Sequence, residues 1–291
     1  MWWRTSRLFL GWVSLLVSLT PGHAAFETAG RSAHPAALGG AFSAGVDKAE
    51  AVWFNPAGNA RVQKWRVGIT HSLLYPGLEE SPSLNVLAAA RPLGRGGLQA
   101  GLSALSAEDW REQVAVVGYG RALHPRVAVG GSLRTGSWET GDLSHRSWSL
   151  DLGGVYEVGW VHSRAYVRMA LVAKNITRAN ISASGRAAGQ TPQSIVLATS
   201  VNLAHLQVLV EVEQRGGRTE VRTGYESRTP NNVKFRLGAS ALASSWGEGG
   251  ELDAGLGYSW KRWHIDFAYS YPLQLTGLGG IHYLSLGYYE R

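Results

Sequence analysis

The stretch WHIDFAYSY, residues 263–271, decides how the rest of the chain is read. Trp263, Ile265, Phe267, Tyr269 and Tyr271 alternate with His264, Asp266, Ala268 and Ser270. A period of two sends alternate side chains to opposite faces of an extended strand, so one face here is entirely apolar. The same pattern recurs upstream. Leu252, Ala254, Leu256, Tyr258 and Trp260 alternate with Glu251, Asp253, Gly255, Gly257 and Ser259, and Val233, Phe235, Leu237 and Ala239 with Lys234, Arg236, Gly238 and Ser240.

Extending this reading predicts fourteen strands, near 64–72, 83–91, 96–105, 112–121, 125–136, 146–158, 163–174, 193–203, 205–213, 218–228, 232–241, 250–260, 262–271 and 281–290. Most are longer than the five or so residues usual in soluble sheets, and long enough to cross a hydrocarbon core at a tilt. Short connections (92–95, 122–124, 159–162, 204, 229–231 and 261) alternate with mostly longer ones (72–82, 106–111, 137–145, 175–192, 242–249 and 272–280), the short link at 215–217 excepted.

Alternation by itself suits either a soluble sandwich, with its apolar face inward, or a membrane barrel, with that face outward. Strand length, the even number and the aromatic borders favour the barrel. Trp65, Trp110, Trp138, Trp148, Trp160, Trp246, Trp260 and Trp263 all fall at or near strand ends, where interfacial girdles belong. The expected fold is therefore all-β, a fourteen-stranded antiparallel transmembrane β-barrel over residues 63–291.

The first residues agree with export. Arg4 and Arg7 precede an apolar run from Leu8 to Leu19 and a small-residue exit at Ala24 and Ala25, so residues 1–24 read as a cleaved secretory signal. Its two arginines leave with it, taking the net charge from +7 to +5. No basic run suggests nucleic-acid binding. The 291 residues contain no cysteine, which excludes disulfides, a thiol nucleophile and cysteine-based metal sites. No cofactor is expected.

Residues 25–62 lack the period of two. They are rich in Ala and Gly, with Asp47 placed to cap the turn after it and AVWFNPAGNA at 51–60 as the most punctuated element. The run Leu38-Gly39-Gly40-Ala41, then Asp47, then Trp53 and Asn55-Pro56-Ala57-Gly58, resembles the N-terminal signature of the PorV/PorQ-like outer-membrane proteins and, more distantly, of FadL-type transporters of hydrophobic compounds. That resemblance implies an N-terminal hatch folded back into the barrel. In it Asn55 and Pro56 would turn the chain toward the first strand, Trp53 and Phe54 would wedge against the wall, and Gly39, Gly40 and Gly58 would complete the motif. It also implies a choice of roles, either a component serving protein export or surface attachment or a FadL-type transporter. The partners expected are outer-membrane lipids, the barrel-assembly machinery, and either export-system proteins or a hydrophobic small molecule. The location expected is the outer membrane of a Gram-negative-type bacterium.

Strand phase assigns a lumen charge set: Arg126, Arg134, Arg164, Arg168, Arg222, Lys234 and Arg236 with Asp151, Glu211, Glu213, Glu220, Glu226, Asp253 and Asp266. Cross-strand pairing that fills and stiffens the interior is expected of them. His264, Asp266 and Ser270 share a face, but no hydrolase, metalloprotease or phosphate-loop motif accompanies them, and the chain is not expected to be an enzyme.

Overall fold

The computed structural model describes residues 25–45, 48–162, 165–182, 190–243 and 249–290, with only the backbone described for 159–162. Fourteen strands form one closed antiparallel barrel. They are β1 (Arg66–Leu74), β2 (Ser83–Leu93), β3 (Gly96–Ala107), β4 (Trp110–His124), β5 (Val127–Thr140), β6 (Leu143–His162), β7 (Ala165–Lys174), β8 (Ser194–Asn202), β9 (Leu206–Arg215), β10 (Arg218–Arg228), β11 (Val233–Leu242), β12 (Glu251–Trp260), β13 (Trp263–Pro272) and β14 (Ile281–Tyr289). Closure is by β1 against β14, from Arg66 opposite Tyr289 to Leu74 opposite Ile281, so the sheet has no free edge. Among the described residues no helix is long and apolar enough to cross a membrane.

The polarity is inverted relative to a soluble protein. On β11, Phe235 and Leu237 are 51% and 61% exposed while Arg236 between them is 1% exposed. Leu256 and Phe267 likewise face outward, and Glu211, Glu226, Asp253 and Asp266 inward. An apolar outer band over a polar interior is the arrangement lipid demands.

Two predicted loops are absent. Ala107 pairs with Trp110 and Thr140 with Leu143, so the links expected at 106–111 and 137–145 are two-residue hairpin turns. Positive φ at Glu108 and at Gly141 closes them. The residues assigned to loops extend the strands instead, and β6 reaches 20 residues. Its first part pairs only with β5, because pairing with β7 begins at Leu152. The projecting β5–β6 hairpin is backed by the chain leaving β7, through Ile176 N to Leu150 O at 2.9 Å and Trp138 Nε1 to Ile181 O at 2.8 Å. Longer connections follow β1, β7, β11 and β13 at one rim, whereas the other rim has tighter turns.

The girdle expectation holds in part. Trp65, Trp148, Trp260 and Trp263 are exposed on the outer wall. Trp110 and Trp138 instead turn into the bore and stack, ring centroids 5.1 Å apart. Trp246, the side chain of Trp160 and the export signal lie outside the described residues.

The described residues of the N-terminal segment, 26–45 and 48–62, lie within the barrel. A short helix, α1 (Ala33–Ala36), and a 3-10 helix (Ala49–Trp53) are both fully buried. Small side chains let this segment approach the wall closely on opposite sides of the barrel. A Cβ at Gly238 of β11 would lie 2.0 Å from Gly39 N, and one at Gly130 of β5 would lie 2.3 Å from Pro56 O. The segment runs from Phe26, bonded to Glu112 near the longer-loop rim, to Arg61, bonded to the His124 and Pro125 carbonyls at the tight-turn rim.

Candidate functional site

The inner segment and the side chains that grip it form the candidate site. Its lower anchor is the Asn55-Pro56-Ala57-Gly58 turn. Gly58 N donates to Asn55 O at 2.9 Å across a β-turn with Pro56 at the position its fixed φ favours. Asn55 Oδ1 accepts from Ala57 N at 2.9 Å, and Asn55 Nδ2 donates to Ser43 O at 2.9 Å. One buried amide thus ties the turn to an earlier part of the segment. Gln99 of β3 bonds Pro56 O and also accepts from Asn59 Nδ2 at 3.0 Å. The turn is set into wall glycines, with Gly120, Gly130 and Gly153 leaving room on three successive strands. Those three glycines were not singled out in the sequence, although each sits at an inward position of its strand.

Trp53 packs against β3, its ring where a Cβ at Gly101 would stand, with the Arg134 guanidinium 5.6 Å from the ring centroid. Phe54 meets Phe42 of its own segment edge-on at 5.2 Å and packs beside the cluster that includes Val86 and Val114 of the wall. Gly39 and Gly40 both have positive φ, which ends α1 in a conformation that other residues rarely adopt. The cap expected of Asp47 lies outside the described residues, and the residue preceding the 3-10 helix is Lys48.

Most of the predicted lumen charges do meet. Arg222 bridges Glu211 at 2.9 Å, Glu213 at 2.8 Å and Glu220 at 2.6 Å, and Lys174 joins Glu213 at 3.6 Å. Arg236 bonds Glu226 and Asp266, each at 2.7 Å. Arg134 pairs with Asp151 at 3.2 Å and Arg168 with Glu157 at 3.1 Å. Asp253 accepts a hydrogen bond from Ser270 instead. Arg126 departs from expectation, since it sits exposed in the turn between β4 and β5. Arg164 lies outside the described residues.

These networks reach the inner segment. Ser43 N donates to Glu211 at 2.9 Å, His34 Nε2 lies 3.1 Å from Glu226, Lys48 lies 3.6 Å from Asp266, and Arg31 is paired with Glu251. Burial, helped by Arg236 and Lys48, pushes the His34 pKa down to about 3, against the opposing pull of Glu226.

Toward the longer-loop rim the lining becomes aromatic. The Trp110–Trp138 stack, the Phe26 ring against Gly136, and His145, bonded to Asn180 O at 2.8 Å, surround Glu112, whose carboxylate accepts from Trp110 Nε1 and Phe26 N. His264, Asp266 and Ser270 do not act together, since His264 bonds Ser259, Asp266 bonds Arg236 and Ser270 bonds Asp253. Among the described residues no group of three or more acidic or imidazole ligands could hold a metal.

No protein-family model and no curated protein matches the sequence. Solved structures do match. The Ralstonia pickettii toluene transporter TbuX superposes with a TM-score of 0.63 at 15% identity, covering 91% of this chain and 99% of that one. The fold is that of the FadL-like fourteen-stranded outer-membrane barrels. A deletion mutant of the TodX monoaromatic hydrocarbon channel gives a TM-score of 0.63 at 12% identity, covering 91% and 100%. A Pseudomonas aeruginosa FadL homologue gives 0.58 at 12%, covering 89% and 98%. FadL-like barrels are outer-membrane proteins, and none of these neighbours supports the PorV/PorQ family in particular.

Proposed function

We propose that this FadL-like barrel admits a small hydrophobic molecule at its longer-loop rim and that residues 25–62 act as a hatch across the bore below. The observation that carries this reading is the vertical order of the lining. The Trp110–Trp138 stack and Phe26 offer an apolar aromatic surface where a molecule would arrive, and the inner segment, bonded to charges around the wall, closes the bore beneath it. Stacked aromatic rings favour planar apolar ligands. The solved neighbours include a toluene transporter and a monoaromatic hydrocarbon channel, which supports the same class of cargo. Cleavage after residue 24 would free a new N-terminus close to this mouth.

The test is uptake of radiolabelled toluene by cells expressing the protein, compared with cells expressing a Trp110→Ala/Trp138→Ala double variant. Uptake several-fold above background in the first and near background in the second is expected. Equal uptake in both would show that the aromatic mouth plays no part.

A second reading is supported by the Leu38 to Gly58 motif, which resembles PorV/PorQ-like proteins. In it the sealed barrel docks export or surface-attachment machinery through its outer rim, where the β5–β6 hairpin projects. Crosslinking in native envelopes that recovers one reproducible protein partner, together with no toluene uptake, would favour it.

A further inference from the structure

The outer wall of β1–β6 carries a concavity that the bore does not use. A groove of about 1100 Å³ crosses it, lined by Ile69 and Leu87 toward one side, Trp148 toward the other, and the small Ala104 and Ala115 between. Its volume lies just above the roughly 300–1,000 Å³ usual for ligand pockets. The inward neighbours Thr70, Val86, Ser103 and Val114 are buried, and β3 pairs without a break with β2 and β4. The groove therefore opens outward, over a closed wall.

Strand register gives the groove a direction. Ala115, Thr135 and Trp148 form one outward row on β4, β5 and β6. Two residues nearer the longer-loop rim, roughly 7 Å along the strands, the row is Gln113, Ser137 and Arg146. Two residues further it is Arg111, Glu139 and Ser144. A polar pocket of about 440 Å³ occupies these upper rows and shares Gln113, Ser137 and Arg146 with the groove. The apolar concavity thus continues directly into a polar one as it approaches the rim.

The upper pocket carries an uncompensated positive charge. Arg111 lies 3.5 Å from Glu139, but the side chain of Arg146 is exposed and makes no ion pair or hydrogen bond among the described residues. A lone cation on a lipid-facing wall is stabilised by an anion placed at the interface. Apolar depth below and an unmatched arginine above complement an amphiphile with an acidic head.

We propose that this wall binds one phosphate-bearing lipid of the outer leaflet, with an acyl chain in the groove beside Trp148 and its phosphate on Arg146 and Arg111. The proposal rests on the barrel being in a membrane and is independent of what crosses the bore. Native mass spectrometry of the full-length protein, purified from outer membranes in mild detergent, counts the bound lipid. Quenching of Trp148 by lipids brominated on the acyl chain, read as the difference between wild type and W148F, is the second readout.

One retained phosphate-bearing lipid is expected, with at least tenfold lower occupancy in R146Q and in A115L. An A254L change on the outer face of β12 should leave occupancy unaltered. Equal retention in all variants, or Trp148 quenching no greater than that of exposed Trp260, would overturn the proposal. Competition by inorganic phosphate that is indifferent to A115L would also overturn it, because it would show an anion site without an acyl site.

Discussion

Asn55 of the inner segment occupies the space that a side chain at Gly153 of β6 would need, since a Cβ there would stand 2.1 Å from Asn55 Oδ1. Two elements almost a hundred residues apart are thus matched atom to atom, one supplying a buried amide and the other an absence. Gly153→Ala should lift the Asn-Pro-Ala-Gly turn off the wall at a cost of about 1–3 kcal/mol. The measurement is limited proteolysis of folded protein, with faster cleavage inside residues 25–62 expected and the barrel itself left intact.

Arg236 holds two buried carboxylates, Glu226 and Asp266. Replacing it with Met keeps the volume but leaves Glu226 and Asp266 as buried charges short of their main partner, which costs about 3–5 kcal/mol. The temperature at which the folded barrel loses its faster gel mobility should fall markedly. A triple variant that also makes both carboxylates apolar should recover much of that loss.

His34 makes docking of the segment sensitive to acid. Its folded pKa, about 3, lies below its ordinary 6.5, so its contribution is fully present above 6.5 and is lost as pH falls toward 3. Proteolytic protection of residues 25–62 should weaken across that window, and His34→Gln should flatten the dependence. An unchanged profile in His34→Gln would assign the acid response to other groups.

Deleting residues 26–60 removes the contents of the bore while leaving the strand ladder, which closes on itself through β1 and β14. The shortened protein should assemble and should raise small-solute leakage from liposomes. Leakage equal to that of the full chain would mean that the wall's own side chains seal the lumen.

The sequence disclosed the barrel because most strands on β7–β14 carry one uniformly apolar face, and strand phase pointed to inward charges such as Arg222 and Arg236, though it misplaced Arg126. Register, and so which arginine meets which carboxylate, is not a property of any single strand. The misreadings concentrate on β1–β6, for a physical reason. There the inner face is apolar as well, with Val86, Ala88, Val114 and Val116 packed around Trp53, so phase could not tell which way Trp110 and Trp138 point. Polar residues at 106–111 and 137–145 read as loops because loops are usually polar, whereas here they continue the strands to the membrane boundary. The Asn55-Pro56 turn was legible from its chemistry, but the wall glycines that accept it show their purpose only when the segment lies against them.

The inverted polarity can be measured directly because the chain has no cysteine. Single cysteines placed at 235, 236, 237 and 240 of β11, spin-labelled in bilayers, should divide by phase. Labels at 235 and 237 should be open to oxygen from the lipid, and those at 236 and 240 shielded from both oxygen and a water-soluble nickel reagent. Oxygen access at 236 and 240 with protection at 235 and 237 would contradict a membrane barrel filled from within.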